Sequence, residues 1–216
     1  MKTQNITFGE GKHLCSGVLA IPEKKKNLGV VIAHGAGAGM DHPFMRFFHT
    51  KIAEAGFPCL RFNFPYTNQK RKVPDPQAVL TSSFQLAIEQ MPTNHVAIGG
   101  KSMGGRMASY IASEEKVVGL FFLGYPLHPP GKPEQLRDQH LYAISKPLFF
   151  ASGTRDPFAT HDLLQKTIRK IGKNVTTEFV ENGGHSLEVP KSSGKSTQQI
   201  QESVAESLIR WLNSLA

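Results

Sequence analysis

Six short runs, Leu28–Ala33, Pro58–Phe64, His95–Gly99, Val117–Leu123, Leu148–Ser152 and Val175–Val180, recur along the chain with helical segments between most of them. The run Val117-Val118-Gly119-Leu120-Phe121-Phe122-Leu123 contains no polar residue, and such continuity marks strands buried on both faces. Between the runs, apolar residues return at three- and four-residue steps. Phe44, Phe47, Phe48, Ile52 and Ala55 do so after a potential Asp41 cap and Pro43, and Gly56 stops that helix. Gln77–Gln90, Met103–Ser113 and Asp162–Ile171 follow suit, and Ile200, Val204, Leu208, Trp211, Leu212 and Leu215 close the chain. Doubly buried strands that alternate with helices predict an α/β fold: a doubly wound, mainly parallel sheet with helices on both faces. An earlier run, Leu14–Ala20, precedes Leu28–Ala33 across the turn-like Pro22-Glu23-Lys24, which predicts a hairpin and an antiparallel edge. No repeat or low-complexity linker divides residues 1–216, so one domain without a separate cap is expected.

Composition narrows the function classes. With 39% apolar and 19% charged residues, a soluble globular chain is expected, and no apolar run is long enough to span a bilayer. The opening Lys2-Thr3-Gln4-Asn5 does not read as a leader, which gives a cytoplasmic expectation. The net charge of +8 is scattered in clusters such as Lys24-Lys25-Lys26 and Lys70-Arg71-Lys72. With no nucleic-acid motif beside it, this reads as a solvated basic surface. Cys15 and Cys59 read as buried free thiols, and no metal-ligand spacing is present.

The stretch Ala97-Ile98-Gly99-Gly100-Lys101-Ser102-Met103-Gly104-Gly105-Arg106 carries the chemistry. Its Gly-Lys-Ser resembles the end of a phosphate loop, but that loop needs a glycine five residues earlier, where His95 opens a strand. A second Gly-Lys-Ser at 194–196 has Val189 at that position. Read as G-x-S-x-G, however, Gly100–Gly104 lies between a buried strand and a helix, the setting of a serine held on a sharp strand-to-helix turn.

A serine hydroxyl needs a base, and the base an acid, which in this arrangement follow in the order serine, acid, histidine beyond later strands. Asp156 ends the strand Leu148–Ser152 in the turn Gly153-Thr154-Arg155-Asp156, and His185 follows the last strand behind Gly183-Gly184. Of nine histidines, His185 alone has that position, whereas His128, His140 and His161 do not. Asp162 in a helical first turn and Glu181 on the rim are the weaker acids. An oxyanion calls for two N–H donors. Met103 follows the serine, and Ala36 sits in the glycine-rich loop His34-Gly35-Ala36-Gly37 after an early strand. His42, Tyr66, Lys101 and Arg106 are polar candidates for substrate contacts near the mouth, and Tyr125–Lys146 is long enough for a small flap.

These residues resemble the α/β-hydrolase superfamily across essentially the whole chain, most closely its small, lid-less hydrolases related to dienelactone hydrolase. The stretches from His34 to Met45, Arg61 to Tyr66 and Gly100 to Arg106 are similar to a subfamily of mostly unassigned substrate. That subfamily includes a subunit of a chromatin acetyltransferase complex. The resemblance implies nucleophile Ser102, acid Asp156 and base His185, where dienelactone hydrolase proper uses a cysteine nucleophile. The expected activity is hydrolysis of a small ester or thioester through an acyl-enzyme, with no cofactor or metal and no nucleic-acid or membrane partner. The alternative is a catalytically idle hydrolase fold that serves as a protein-interaction module.

Overall fold

A computed structural model describes all residues from Met1 to Ala216. Eight strands form one sheet: β1 (Lys2–Phe8), β2 (Cys15–Ile21), β3 (Leu28–Ala33), β4 (Cys59–Asn63), β5 (His95–Lys101), β6 (Val117–Leu123), β7 (Leu148–Gly153) and β8 (Val175–Val180). They lie in the order β1-β2-β4-β3-β5-β6-β7-β8. From β4 through β8 neighbours are parallel, whereas β2 is antiparallel to both β1 and β4.

The helices are α1 (Pro43–Glu54), the single turn α2 (Pro65–Asn68), α3 (Gln77–Glu89), α4 (Met103–Tyr110), α5 (His161–Ile171) and α6 (Thr197–Asn213). Phe44, Phe48 and Ile52 of α1 share a core with Leu208, Trp211 and Leu212 of α6 on one face of the sheet. Leu80 and Phe84 of α3, Met103 and Met107 of α4 and Leu164 of α5 cover the other. Every residue of β3 is buried, as its unbroken apolar run requires, while the edges β1 and β8 alternate or carry threonines.

The expected hairpin between residues 14–20 and 28–33 does not form. β2 pairs instead with β1 and β4, and β3 lies on the far side of β4. The intervening lysine-rich segment crosses the end of β4 and is tied down there, with the Lys26 N–H donating to the Gly56 carbonyl at 2.8 Å. Burial explains the swap: a strand with no polar face is stable only inside the sheet, whereas β1 has the polar alternation of an edge. Cys15 and Cys59 are buried and free, and burial pushes the Cys15 thiol up to about 11.

His49 of α1 fastens the antiparallel part of the sheet. Its Nε2–H lies 3.1 Å from the carbonyls of both Val18 and Cys59, and its Nδ1 accepts from Arg61 at 3.1 Å. Arg61 in turn pairs with Asp41 at 3.0 Å. Burial, reinforced by the Arg61 charge, lowers the His49 pKa to about 4. The unfolded chain therefore binds this proton near 6.5 and the folded chain only near 4, so stability is full above 6.5 and falls as pH drops between them. His49→Phe leaves two buried carbonyls short of a donor and should cost about 1–3 kcal/mol at pH 7. It should also flatten the acid slope between pH 6.5 and 4, measured as urea unfolding free energy against pH.

Candidate active site

β5 delivers Ser102 to the carboxyl edge of the sheet, where the chain turns at once into α4. Ser102 adopts φ 51° and ψ −115°, a left-handed conformation that costs a non-glycine residue about 1–3 kcal/mol. The flanking glycines make that corner possible by close approach. A Cβ on Gly100 would meet the Ala33 carbonyl oxygen at 2.0 Å, and one on Gly104 would meet the same oxygen at 2.2 Å. The corner is thus pressed against the end of β3.

Asp156 follows β7 and His185 follows β8, and the two turns are laced together. The N–H groups of Thr154, Arg155 and Asn182 donate at 2.9 Å to the Val180 carbonyl, the Gly183 carbonyl and the Thr154 hydroxyl. Gly153 has no room for a side chain, since its Cβ would lie 2.0 Å from the Gly183 oxygen. The adjacency of β7 and β8 therefore sets the acid-to-histidine distance. His185 Nδ1 stands 2.8 Å and 3.0 Å from the two carboxylate oxygens of Asp156. A carboxylate can only accept, so the proton sits on Nδ1 and Nε2 is left to accept from Ser102 Oγ–H at 2.8 Å. The Asp156 side chain is 0% exposed, and one oxygen also accepts from the Phe158 N–H at 2.8 Å. The Phe158 ring packs against the imidazole, with centroids 4.3 Å apart.

No protein acceptor takes the N–H of Ala36 or Met103. Met103 is the first residue of α4, where backbone N–H groups lack intrahelical partners, and both residues border a cavity that reaches Ser102. The Ala36 loop is held by His34, a residue that the sequence did not single out. His34 Nδ1–H donates to the Gly35 carbonyl at 2.8 Å, while Nε2 accepts from the Phe64 N–H at 3.3 Å. Burial lowers its pKa to about 4, so the ring is neutral and keeps this tautomer near neutral pH.

Ser102 lies between two cavities. One, about 320 Å³, is lined by His42, Phe44, Lys101, Phe158 and His185; the other, about 250 Å³, by Met107, Arg106, Pro126 and Arg137. The expected contact residues thus divide. His42 and Lys101 border the first and Arg106 the second, but Tyr66 borders neither, because the α2 turn buries it against His34 and Phe64. His42, in place of Asp41, caps α1, its Nδ1 accepting from the Phe44 N–H at 3.2 Å. The segment Tyr125–Lys146 is anchored at both ends by buried Tyr125, Leu127 and Leu141, and residues 130–136 between them are exposed. A second serine–histidine contact, Ser109 Oγ to His140 Nε2 at 2.8 Å, borders a separate cavity of about 290 Å³. The Ser109 hydroxyl donates to the Arg106 carbonyl, and no carboxylate holds His140.

Lys101, 9% exposed, donates from Nζ to the His185 carbonyl at 2.7 Å and so props the histidine loop from beneath. Burial lowers its pKa to about 8, opposed by the charges of Asp156 and Glu188. The folded chain thus releases this proton near 8 and the unfolded chain near 10.5, so the residue's contribution to stability rises between those values and is flat below them. Relative to Lys101→Met, the wild type should gain on the order of a few kcal/mol between pH 8 and 10.5, read from paired denaturant titrations.

The alpha/beta hydrolase domain family matches residues 26–213. Among solved structures, an alpha-beta serine hydrolase homologue from Coxiella burnetii is 15% identical with a TM-score of 0.75, and 97% of each chain is covered. A serine hydrolase without lid from Xanthomonas campestris is 14% identical with a TM-score of 0.77, covering 97% of this chain and 95% of that one. The dienelactone hydrolase of Anabaena variabilis is 18% identical with a TM-score of 0.74, covering 99% and 98%. With its mostly parallel sheet and the serine turn between β5 and α4, the chain belongs to the alpha/beta hydrolase family, in the lid-less, dienelactone-hydrolase-like form of that fold.

Proposed function

We propose that residues 1–216 act as one domain and hydrolyse a small ester or thioester through an acyl-enzyme. The observation that carries this reading is the unbroken hydrogen-bond relay from Ser102 through His185 to Asp156 at the carboxyl edge of the sheet. In the first step Ser102 Oγ attacks the carbonyl carbon and its proton passes to His185 Nε2. Asp156 stabilises the imidazolium and holds the ring's orientation. The carbonyl electrons move onto oxygen, where the N–H groups of Ala36 and Met103 receive them. Collapse expels the alcohol or thiol, which takes the proton from His185. Water then attacks the acyl-enzyme with His185 again as base, and Ser102 is regenerated. Every step uses side chains and backbone of this chain alone.

The two cavities suit this sequence of events. His185 must protonate the leaving group and borders only the larger one, so the leaving group belongs there and the acyl part in the other. Fluorophosphonate labelling tests the reading. Wild type should be modified at Ser102 within minutes and Ser102→Ala not at all, as read by intact-protein mass. An unlabelled wild type would favour the idle interaction module instead.

A further inference from the structure

The acyl-side cavity contains two guanidinium groups that nothing in the protein neutralises. Arg106 rises from α4 one turn after Ser102; its Nε is buried without an acceptor, and its only polar contact is the Tyr110 hydroxyl at 3.4 Å. Arg137 comes from the wall after β6. Its backbone is pinned, with the N–H donating to the Leu127 carbonyl at 2.7 Å and the carbonyl accepting from the Tyr125 hydroxyl at 2.8 Å. Its guanidinium donates to no protein acceptor, and neither arginine takes part in an ion pair. Asp138, next in the chain, accepts from the Tyr142 hydroxyl instead. Burial and then the Arg106 charge hold the Arg137 guanidinium below its ordinary value, as expected for like charges that face each other.

We infer that the acyl part of the substrate carries a carboxylate, which Arg106 and Arg137 receive at the far end of this cavity, so that the substrate is a half-ester or half-thioester of a short dicarboxylic acid. The inference rests on the hydrolase reading above. Two unneutralised cations held together are unfavourable until an anion joins them, and a guanidinium fork matches a carboxylate's two oxygens. The one acid nearby does not neutralise them. Asp75 is the one carboxylate in the lining, and it already accepts from Arg71 at 2.5 Å and from the Tyr66 N–H at 2.9 Å. With Asp75 paired to Arg71, the charges of Arg106 and Arg137 both remain open to a ligand.

The test compares mono-p-nitrophenyl glutarate with p-nitrophenyl butyrate, two esters of one leaving group that differ in the terminal charge. The expected result is a kcat/KM ratio of about tenfold or more in favour of the glutarate, the scale of one hydrogen bond between charged groups. R106Q and R137Q should each lower that ratio by about tenfold, and R137K, which keeps the charge but loses the fork, should fall between. A ratio at or below one overturns the inference, as does a ratio that neither substitution moves. Faster turnover of a matched phosphonate-bearing ester overturns the carboxylate. Fluorophosphonate labelling separates the two failures. Labelling at Ser102 without turnover of either ester sinks the substrate class alone, and absence of labelling sinks the hydrolase reading beneath it.

Discussion

Ser102→Ala is expected to lower kcat for p-nitrophenyl esters by about 10³-fold or more while leaving the protein folded. The substitution removes the one oxygen to which His185 Nε2 is bonded, yet it keeps a Cβ at the corner, so the strained turn and its packing against Ala33 are preserved. Any remaining rate would come from the free N–H groups of Ala36 and Met103, which can stabilise an oxyanion produced by attack of water. Burst and steady-state kinetics at matched protein concentration measure the loss, and a thermal melt checks the fold. A variant retaining more than about a tenth of the wild-type rate would be incompatible with attack by Ser102.

Asp156→Asn should cost about 10⁴-fold in kcat at neutral pH, although the two side chains are nearly the same size. The asparagine oxygen can still accept from the Phe158 N–H, which leaves the amide NH₂ facing His185 Nδ1. Faced with a donor, Nδ1 must become an acceptor, and the ring proton moves to Nε2, where the Ser102 hydroxyl needs a lone pair. The variant should therefore bind ester with little change in KM but fail to deprotonate the serine. Fluorophosphonate labelling should slow in parallel with turnover. Loss of binding with kcat intact would mean that Asp156 acts only as part of the loop scaffold.

Much of this arrangement was legible in the residue order because two of its causes are local. Doubly buried strands advertise themselves through apolar runs such as Val117–Leu123, and a serine that must turn a corner against a neighbouring strand requires glycines at both flanks. Asp156 and His185 could be found because loops at the carboxyl ends of adjacent parallel strands converge whatever their separation in the chain. What escaped is non-local. The position of β2 depends on which strand tolerates an exposed edge, a comparison among strands and not a property of one. His34 and Arg137 gave no signal of their own: each acquires its environment only when β4 or the wall after β6 closes around it. Tyr66 shows the converse, a polar-tipped residue near the right loop that the α2 turn folds inward.

The contact of Gly100 and Gly104 with a single carbonyl, that of Ala33, has a consequence for how such a protein can diversify. The Ser102 corner is wedged against a fully enclosed strand, so neither of the two glycines tolerates a side chain unless that strand moves. Part of the wall of the smaller cavity comes from connecting segments, around Pro74, Asp75, Pro126 and Arg137, that contribute no strand to the sheet. Side chains that project from those segments can change without disturbing the glycine contacts, so the rim can vary while the corner beneath it stays fixed.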